Sequence, residues 1–230
     1  MATSSDIPVT IRRSKRQRGN EMIEFALVLA LLGPLFLWVF VNSMNLLRMI
    51  QTNEICRDIG ILYIQGMDFS TWLAQSVAQT LSQGYGLQIG SSFTGNNATN
   101  DGNSGNGWVV LSEVMYVGTG SCSTLPSGTT CTNQGQYVYL QRFDFGNANL
   151  IFNGHGVVSQ VGTPTATINS SGYVQNYLTD AGAQAPNFHQ FMQTQLSDGQ
   201  IIFVSETFFA SPDLGFSSYP GGGVYSRTFF

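Results

Sequence analysis

A run of 17 residues without a charge, from Phe25 to Val41, most constrains what this chain can fold into. Uncharged sequence then continues to Leu47. The run has the length of a helix that crosses the hydrocarbon of a bilayer, which needs about 20 apolar residues. It is longer than the apolar core of a secretory signal peptide, and no small-residue cleavage site follows it. We therefore expect a membrane-spanning helix, with Pro34 tolerated inside it.

Basic residues cluster directly before this run. Five of the nine Lys and Arg residues lie in the first 18 positions. Because Lys and Arg beside a span stay in the cytoplasm, we expect the N-terminus inside and the chain beyond about residue 45 outside. In a bacterium, outside means the periplasm or the cell surface. The residues that set this topology are Arg12, Arg13, Lys15, Arg16 and Arg18.

The rest of the chain is acidic and poor in charge. Residues 20–230 carry four basic and twelve acidic side chains, so a chain that starts at Asn20 has a formal net charge of 4 − 12 = −8. No basic patch follows the leader, which argues against nucleic acid as a partner. Charged residues make up 10% of the chain, against about 25% in typical soluble domains. Such a balance is common in extracellular and surface-assembly proteins.

A carboxylate stands at the head of the apolar run. Glu24 directly precedes Phe25, and a charge at the centre of a bilayer costs about 2.5–3.5 kcal/mol on insertion scales. Glu24 either lies at the lipid interface, where the cost is small, or has a cationic partner that offsets the cost. Glu21 lies three residues earlier, on a similar helix face. Gly19 ends the basic leader. It is either a glycine at the start of a helix or a position where a peptidase can approach the backbone closely.

The junction R-G-N-E-M-I-E-F over residues 18–25 resembles the processing site of type IV prepilins. In that family a membrane peptidase cuts after a glycine, and a glutamate is fifth in the mature chain. Gly19 matches the glycine, and Asn20 would become the first residue. Glu24 and Phe25 then fall at the fifth and sixth places. Residues 12–65 are most similar to the TadE-like pseudopilins of tight-adherence (Tad) secretion systems.

The resemblance implies a function in assembly. Its partners would be a prepilin peptidase, other pilins and pseudopilins, the inner-membrane pilus platform and the lipid bilayer. In the pilin family the glutamate pairs with the free α-amino group of a neighbouring subunit, which assigns that role to Glu24 and supplies the amine at Asn20. The implied processes are pilus assembly, secretion and cell adhesion. The head outside the membrane would cap, prime or decorate the fibre.

An alternative from a different class stays open. The chain would then be an uncleaved, single-pass membrane protein whose head acts in the periplasm as a binding or scaffold module. This reading shares the anchor and the head but keeps residues 1–19. Cleavage after Gly19 distinguishes the two readings.

Helical spacing continues beyond the span and predicts an amphipathic extension to about Ile64. We therefore divide the chain into a basic leader over residues 1–19, a transmembrane and amphipathic helix over 20–65, and a head over 66–230. A second helix is predicted over 71–83, with Asp68 or Ser70 as its N-cap and Gly84 as its stop. Its apolar residues on one side are Trp72, Leu73, Val77 and Leu81.

The second half of the chain contains residue patterns that are typical of β-strands. Residues 108–117 and 136–145 predict a hairpin with a long loop between them, and residues 90–107 are a loop by composition. Weaker strands are expected over 156–161, 200–209 and 224–230, and a short helix over 187–196. The fold class is therefore α+β, with a long N-terminal helix and an antiparallel sheet in the head. Alternation within 136–145 predicts one face made of Tyr137, Tyr139, Gln141, Phe143 and Phe145.

The cysteines and histidines do not indicate a metal site or an enzyme. Cys122 and Cys131 read as a disulfide in an oxidising compartment, whereas Cys56 is expected to be packed. The cysteine spacings match no zinc pattern, and residues 101–112 depart from the calcium-loop pattern. Neither His155 nor His189 has a carboxylate at ligand spacing, and none of the common catalytic motifs occurs. We expect no cofactor, no metal and no catalysis.

Overall fold

A long helix and a four-stranded antiparallel sheet form the architecture of the computed structural model, and they confirm the predicted α+β class. The chain divides into two compact units, residues 1–44 and residues 45–230. The second unit is the head, and it includes the last turns of the long helix. The structure describes residues 15–89, 105–147, 149–152, 155–156, 158–192, 196–210 and 223–230.

The first helix, α1, spans Lys15–Ile64 and has 50 residues. It begins before the predicted start near Glu21, because the Lys, Arg and Gln residues of the leader are good helix formers. Within the described part of the chain, α1 is the helix that is long and apolar enough to cross a membrane, with a mean hydropathy of 2.3. Its apolar side chains between Met22 and Leu47 are exposed on every side of the helix.

The second helix, α2, spans Trp72–Gly84, close to the predicted bounds. Its N-cap is Thr71, whose extended backbone lets the hydroxyl accept a hydrogen bond from the amide of Ala74 at 3.4 Å. The predicted caps are wrong, because the side chain of Asp68 instead accepts a hydrogen bond from the amide of Ser70 in the preceding turn. Sequence alone does not separate three neighbouring residues that are all good N-caps.

The face of α2 that packs into the head is lined by small and polar residues rather than by its large apolar ones. Ala74 and Ala78 are buried, while Trp72 and Leu73 are 68% and 60% exposed. The small side chains let α2 approach the sheet closely, and this leaves the first turn with its apolar side toward solvent.

The main sheet has the strand order β2-β1-β5-β6, and every neighbouring pair is antiparallel. The predicted hairpin and the two last strands are confirmed, within a residue or two at each end. The strands are β1 (Gly107–Tyr116), β2 (Tyr137–Gly146), β5 (Ile201–Ala210) and β6 (Gly223–Phe229), and a separate two-stranded ribbon is formed by β3 (Ile151–Phe152) and β4 (His155–Gly156).

Two layers cover the sheet. On one face, α1 and α2 bury an aromatic and aliphatic core against the strands. On the other face, the long irregular segment 158–192 provides the cover. The first core contains Ile55, Ile59, Tyr63, Phe69, Leu111, Phe143, Phe145 and Phe209, and the second contains Val114, Tyr139, Val161, Val174, Ala183, Phe188, Ile202 and Val204.

A register shift in β2 makes the predicted alternation wrong over its first half. Glu113 pairs with Gln141, but the next residue, Val114, pairs with Tyr139, so one residue of β2 is passed over. A bulge of this kind moves the following side chains to the opposite face. Phe143 therefore packs against the helices, while Tyr139 packs under segment 158–192.

Two further predictions fail in the covering segment. The strand expected over 156–161 is limited to the two residues of β4, and residues 158–161 lie outside any strand. The helix expected over 187–196 is replaced, in the described residues 187–192 and 196, by a single 3-10 turn, Phe188–Gln190, while residues 193–195 lie outside the described chain. Burial of Phe188 against the sheet fixes this short turn in place of a longer helix.

The surroundings of a glycine in β2 lead to a prediction about the stability of the head. Gly146 has a φ of +104°, and a Cβ there would lie 2.5 Å from the carbonyl oxygen of Gly107. We expect Gly146→Ala to lower the free energy of unfolding by about 3 kcal/mol, combining overpacking with backbone strain. Gly128→Ala is the matched control, since Gly128 has a φ of +89° but open space, and strain alone predicts a loss of about 1 kcal/mol. Denaturant unfolding followed by tryptophan fluorescence measures both, and equal losses would contradict the crowding argument.

Candidate functional site

The predicted processing and assembly residues lie on α1. The backbone of Gly19 and Asn20 is helical, as is that of Lys15, Arg16 and Arg18, while Arg12 and Arg13 lie outside the described residues. Glu24 and Phe25 are exposed, with Phe25 at 68%. The roles of these residues in topology, processing and assembly stay predictions.

Glu24 has no hydrogen bond and no ion pair with any described residue of its own chain. The next charged residue along α1 is Arg48, so residues 25–47 form an uninterrupted uncharged stretch. The residues one turn further along the same face are Leu27 and Val28, which are 64% and 49% exposed. Glu24 is therefore a lone carboxylate at the edge of an apolar surface, and any cation that pairs with it comes from outside the described chain.

The second half of α1 is fixed to the head by small and polar side chains. The hydroxyl of Thr207 lies 3.4 Å from the carbonyl of Thr52, and the hydroxyl of Ser226 donates to the side chain of Asn53 at 2.9 Å. Gly60 lets the helix approach closely, because a Cβ there would lie 3.1 Å from that of Ser205. This seam joins α1 to β5 and β6.

Cys56 lies inside the same seam. Its thiol is buried and contacts the carbonyl oxygen of Ser205 at 3.1 Å and the hydroxyl of Thr228 at 3.7 Å. The position agrees with the predicted packing role. A thiol enclosed in this way is inaccessible to a reaction partner.

Arg48 joins α1 to the end of α2. One guanidinium nitrogen donates to the carbonyl oxygen of Gly86 at 3.2 Å, just past the last turn of α2. A cation at the C-terminal end of a helix complements the helix dipole. The two helices of the head are thus held together at the end where the chain enters the head.

The predicted disulfide is present in the loop between β1 and β2. Cys122 and Cys131 are bonded through sulfur, with their Cα atoms 5.6 Å apart. The first of these residues ends a short helix, α3 (Thr119–Cys122), which sequence analysis did not predict. In the chain-entropy model, closing a loop of about ten residues stabilises the fold by about 2.5 kcal/mol.

An aspartate from outside this loop binds the start of α3. The carboxylate of Asp198 accepts hydrogen bonds from the amides of Gly118, Gly120 and Ser121 and from the Ser121 hydroxyl, at 2.5–3.0 Å. The Ser121 hydroxyl contributes most, together with these amides, to holding the pKa of Asp198 below its ordinary value. A Cβ on either glycine would collide with the carboxylate, so the two glycines are part of the site.

A second carboxylate is buried inside the head. Glu206, on β5, is fully buried and accepts hydrogen bonds from the hydroxyl of Ser159, the amide of Gln160 and the hydroxyl of Tyr225. Burial, reinforced by this carboxylate, raises the pKa of Tyr225. Three donors satisfy the carboxylate, which makes it a fixed anchor of segment 158–192.

A buried arginine completes this anchor. Arg142, on β2, donates to the carbonyl oxygen of Gly162 at 2.8 Å, and the hydroxyl of Tyr139 donates to the same oxygen at 2.9 Å. Sequence reasoning missed this network, because nothing in the local pattern around Arg142 or Glu206 indicates burial. The one signal that the sequence offers is that Glu206 is the single charged residue of the otherwise mostly apolar strand β5.

Among the residues that the structure describes, no group of three His, Cys, Asp or Glu side chains is placed to hold a metal ion. Comparison of the chain with family models, with curated proteins and with solved structures gives no match.

The aspartate site predicts a pH dependence of stability. Since the folded-state pKa of Asp198 is lowered, its contribution is complete above the unfolded-state pKa of about 3.9 and is lost as pH falls through the folded-state value. We expect Asp198→Asn to lower the thermal unfolding midpoint at pH 7, and the gap between the two proteins to close as pH falls below about 4. A gap that stays constant from pH 7 to pH 2 would contradict this account.

Proposed function

We propose that this protein is a minor pilin or pseudopilin of a Tad-type pilus. In this proposal α1 anchors the chain in the bacterial inner membrane with the N-terminus in the cytoplasm and the head in the periplasm. A prepilin peptidase cuts after Gly19, and α1 then packs among the helices of other pilins on the inner-membrane platform. The chain has no catalytic activity of its own, and its function is assembly, with the head capping, priming or decorating the fibre.

The observation that carries the proposal is the position of Glu24 on α1. It directly precedes the stretch of α1 whose apolar side chains are exposed all round, it has no partner in the described chain, and it follows Gly19 by five residues. An apolar surface of this kind is covered by lipid or by other helices. A lone carboxylate within it needs a cation.

Cleavage would supply that cation. A cut after Gly19 leaves a protonated α-amino group on Asn20, and the same cut in a neighbouring subunit leaves the same group there. At about 4 Å and an effective dielectric constant of about 20, such a pair attracts by about 4 kcal/mol. That attraction offsets a cost that reaches about 2.5–3.5 kcal/mol for a carboxylate at the centre of a bilayer. Pairing with Glu24 thus favours packing of one subunit against the next.

The alternative of an uncleaved membrane-anchored scaffold is favoured by one observation. Gly19 and Asn20 lie within α1, which begins at Lys15. A protease acts on extended backbone, so cleavage here requires the first turn of α1 to unwind. Under the alternative this turn stays helical, the leader is retained, and the head alone carries the function.

The processing site gives the first test of the proposal. Protein purified from its native membrane should begin at Asn20, as measured by intact mass and N-terminal sequencing. We expect Gly19→Ala to accumulate the precursor with residues 1–19. Gly33→Ala is the matched control, since Gly33 lies in the same helix with open space around it and should not affect cleavage. A wild-type chain that retains its leader would overturn the pilin proposal and support the scaffold.

The assembly role of Glu24 gives the second test. We expect Glu24→Gln to be inserted and cleaved normally but to be incorporated into fibres at least tenfold less, because a loss of about 1.4 kcal/mol or more in subunit pairing is a factor of ten. Glu21→Gln is the control for loss of one carboxylate on the same helix. Quantitative immunoblotting of membranes and sheared fibres separates insertion from incorporation. Equal incorporation of both variants would remove Glu24 from the mechanism.

A further inference from the structure

The outer edge of β6 offers backbone groups without partners. The amide of Phe230 donates to the carbonyl of Phe203, and the amide of Phe203 donates to the carbonyl of Phe230. Hydrogen-bonded and non-hydrogen-bonded pairs alternate along an antiparallel pair of strands. Val224, Ser226 and Thr228 therefore also bond to β5 through their backbone groups. The amides and carbonyls of Tyr225, Arg227 and Phe229 therefore point away from the sheet. In the described parts of the chain, none of these outward groups has a backbone partner.

The opposite edge of the sheet is covered. The amide of Arg142 on β2 donates to the carbonyl of Gly172, and the carbonyl of Leu140 accepts from the amide of Val174. The carbonyl of Tyr137 likewise accepts from a residue of segment 158–192. Within the described residues, the chain thus covers the β2 edge of the sheet and leaves the β6 edge open.

The β6 edge carries few of the devices that protect natural sheet edges from strand pairing. Those devices include charged side chains, Pro and bulges, whereas β6 has neither Lys nor Pro and pairs with β5 in an unbroken register. Its only charged residue is Arg227, and the guanidinium is folded over the ring of Phe191 at 3.6 Å. The backbone of β6 is therefore accessible to another strand.

Arg227 indicates the chemistry of an incoming strand. Glu206 lies directly opposite Arg227 in the sheet, but its carboxylate is occupied by Ser159, Gln160 and Tyr225. One guanidinium nitrogen of Arg227 is buried without a hydrogen-bond partner. Such a group is costly to leave unsatisfied, and a carboxylate satisfies it best.

We propose that the outer edge of β6 receives an extended strand from another protein of the assembly, with a carboxylate of that strand beside Arg227. Backbone hydrogen bonds to Tyr225, Arg227 and Phe229 would hold the strand in register. This inference rests on the proposed function for the identity of the assembly.

The composition of β6 argues that this strand is not the β6 of a second copy. The residues of β6 include no Asp or Glu, and its charged residue is Arg227. A second copy of β6 would therefore bring no carboxylate to Arg227, and an antiparallel pair of such strands would bring two guanidinium groups to the same edge.

Amide hydrogen exchange tests the inference on the full chain. We compare the protein in native membranes that contain the pilus components with the same protein purified in detergent. In detergent, the amides of Tyr225, Arg227 and Phe229 should exchange fast while those of Val224, Ser226 and Thr228 are protected. In the membranes, the first three should exchange at least about tenfold more slowly.

A pair of variants isolates the backbone contribution. Arg227→Pro removes an outward-facing amide without removing a hydrogen bond to β5, since Pro is tolerated at such positions. Arg227→Ala removes the same side chain and keeps the amide. We expect the gain in protection at Tyr225 and Phe229 to be retained, though reduced, in Arg227→Ala and lost in Arg227→Pro, with similar unfolding midpoints in detergent.

The possible results distinguish a failure of the edge proposal from a failure of the proposed function. Unchanged exchange in membranes where the chain is processed and incorporated into fibres would overturn the edge proposal alone. Protection that appears in detergent and grows with protein concentration would show pairing between copies and would also overturn it. A chain that keeps its leader would overturn the proposed function, whatever the exchange at β6. The exchange comparison uses the wild-type chain, so it stands even if Arg227→Pro does not fold.

Discussion

The structure depends on one helix that has to meet two different environments. Over its first part, α1 exposes apolar side chains in every direction and makes no packed face. From Thr52 onward the same helix presents small and polar groups to β5 and β6, with Cys56 and Gly60 at the closest contacts. The seam between the second half of α1 and the two last strands is therefore what fixes this helix to the sheet of the head.

The sequence predicted those features that depend on local pattern. The apolar run, the strands of the main sheet and the disulfide could all be predicted, because each depends on a pattern or spacing of residues that are near one another in the sequence. The features that it missed depend on contacts between distant segments. The bulge beside Tyr139, the cap formed by Asp198 and the burial of Glu206 each join residues at least 25 positions apart or turn on a single residue of register. The two-layer cover of the sheet follows from these contacts, which is why segment 158–192 was predicted least well.

The site on α1 has the opposite character. Its residues were chosen from sequence alone, and the fold brings nothing of its own chain to them in the described residues. Gly19 and Asn20 sit in a helix, and Glu24 faces away from any internal partner. A catalytic site is usually recognised by convergence of side chains within one chain, whereas an assembly site is completed by a second molecule. Under the proposed function, Glu24 on the exposed apolar surface of α1 belongs to the second kind, and its partner is on another subunit.

Glu206 and Glu24 differ in the hydrogen-bond donors that the chain supplies to a carboxylate in apolar surroundings. Glu206 is enclosed by the head, and the fold supplies three hydrogen-bond donors from Ser159, Gln160 and Tyr225. With all three in place, a buried carboxylate is compatible with a stable core. Glu24 has no such donors, although it borders the longest apolar stretch of the chain. By the same physical chemistry its donors must come from water, from lipid headgroups or from another subunit. In the proposed assembly, packing of α1 among other helices displaces water and headgroups from its sides, and a cationic group on a neighbouring chain is then the donor that remains.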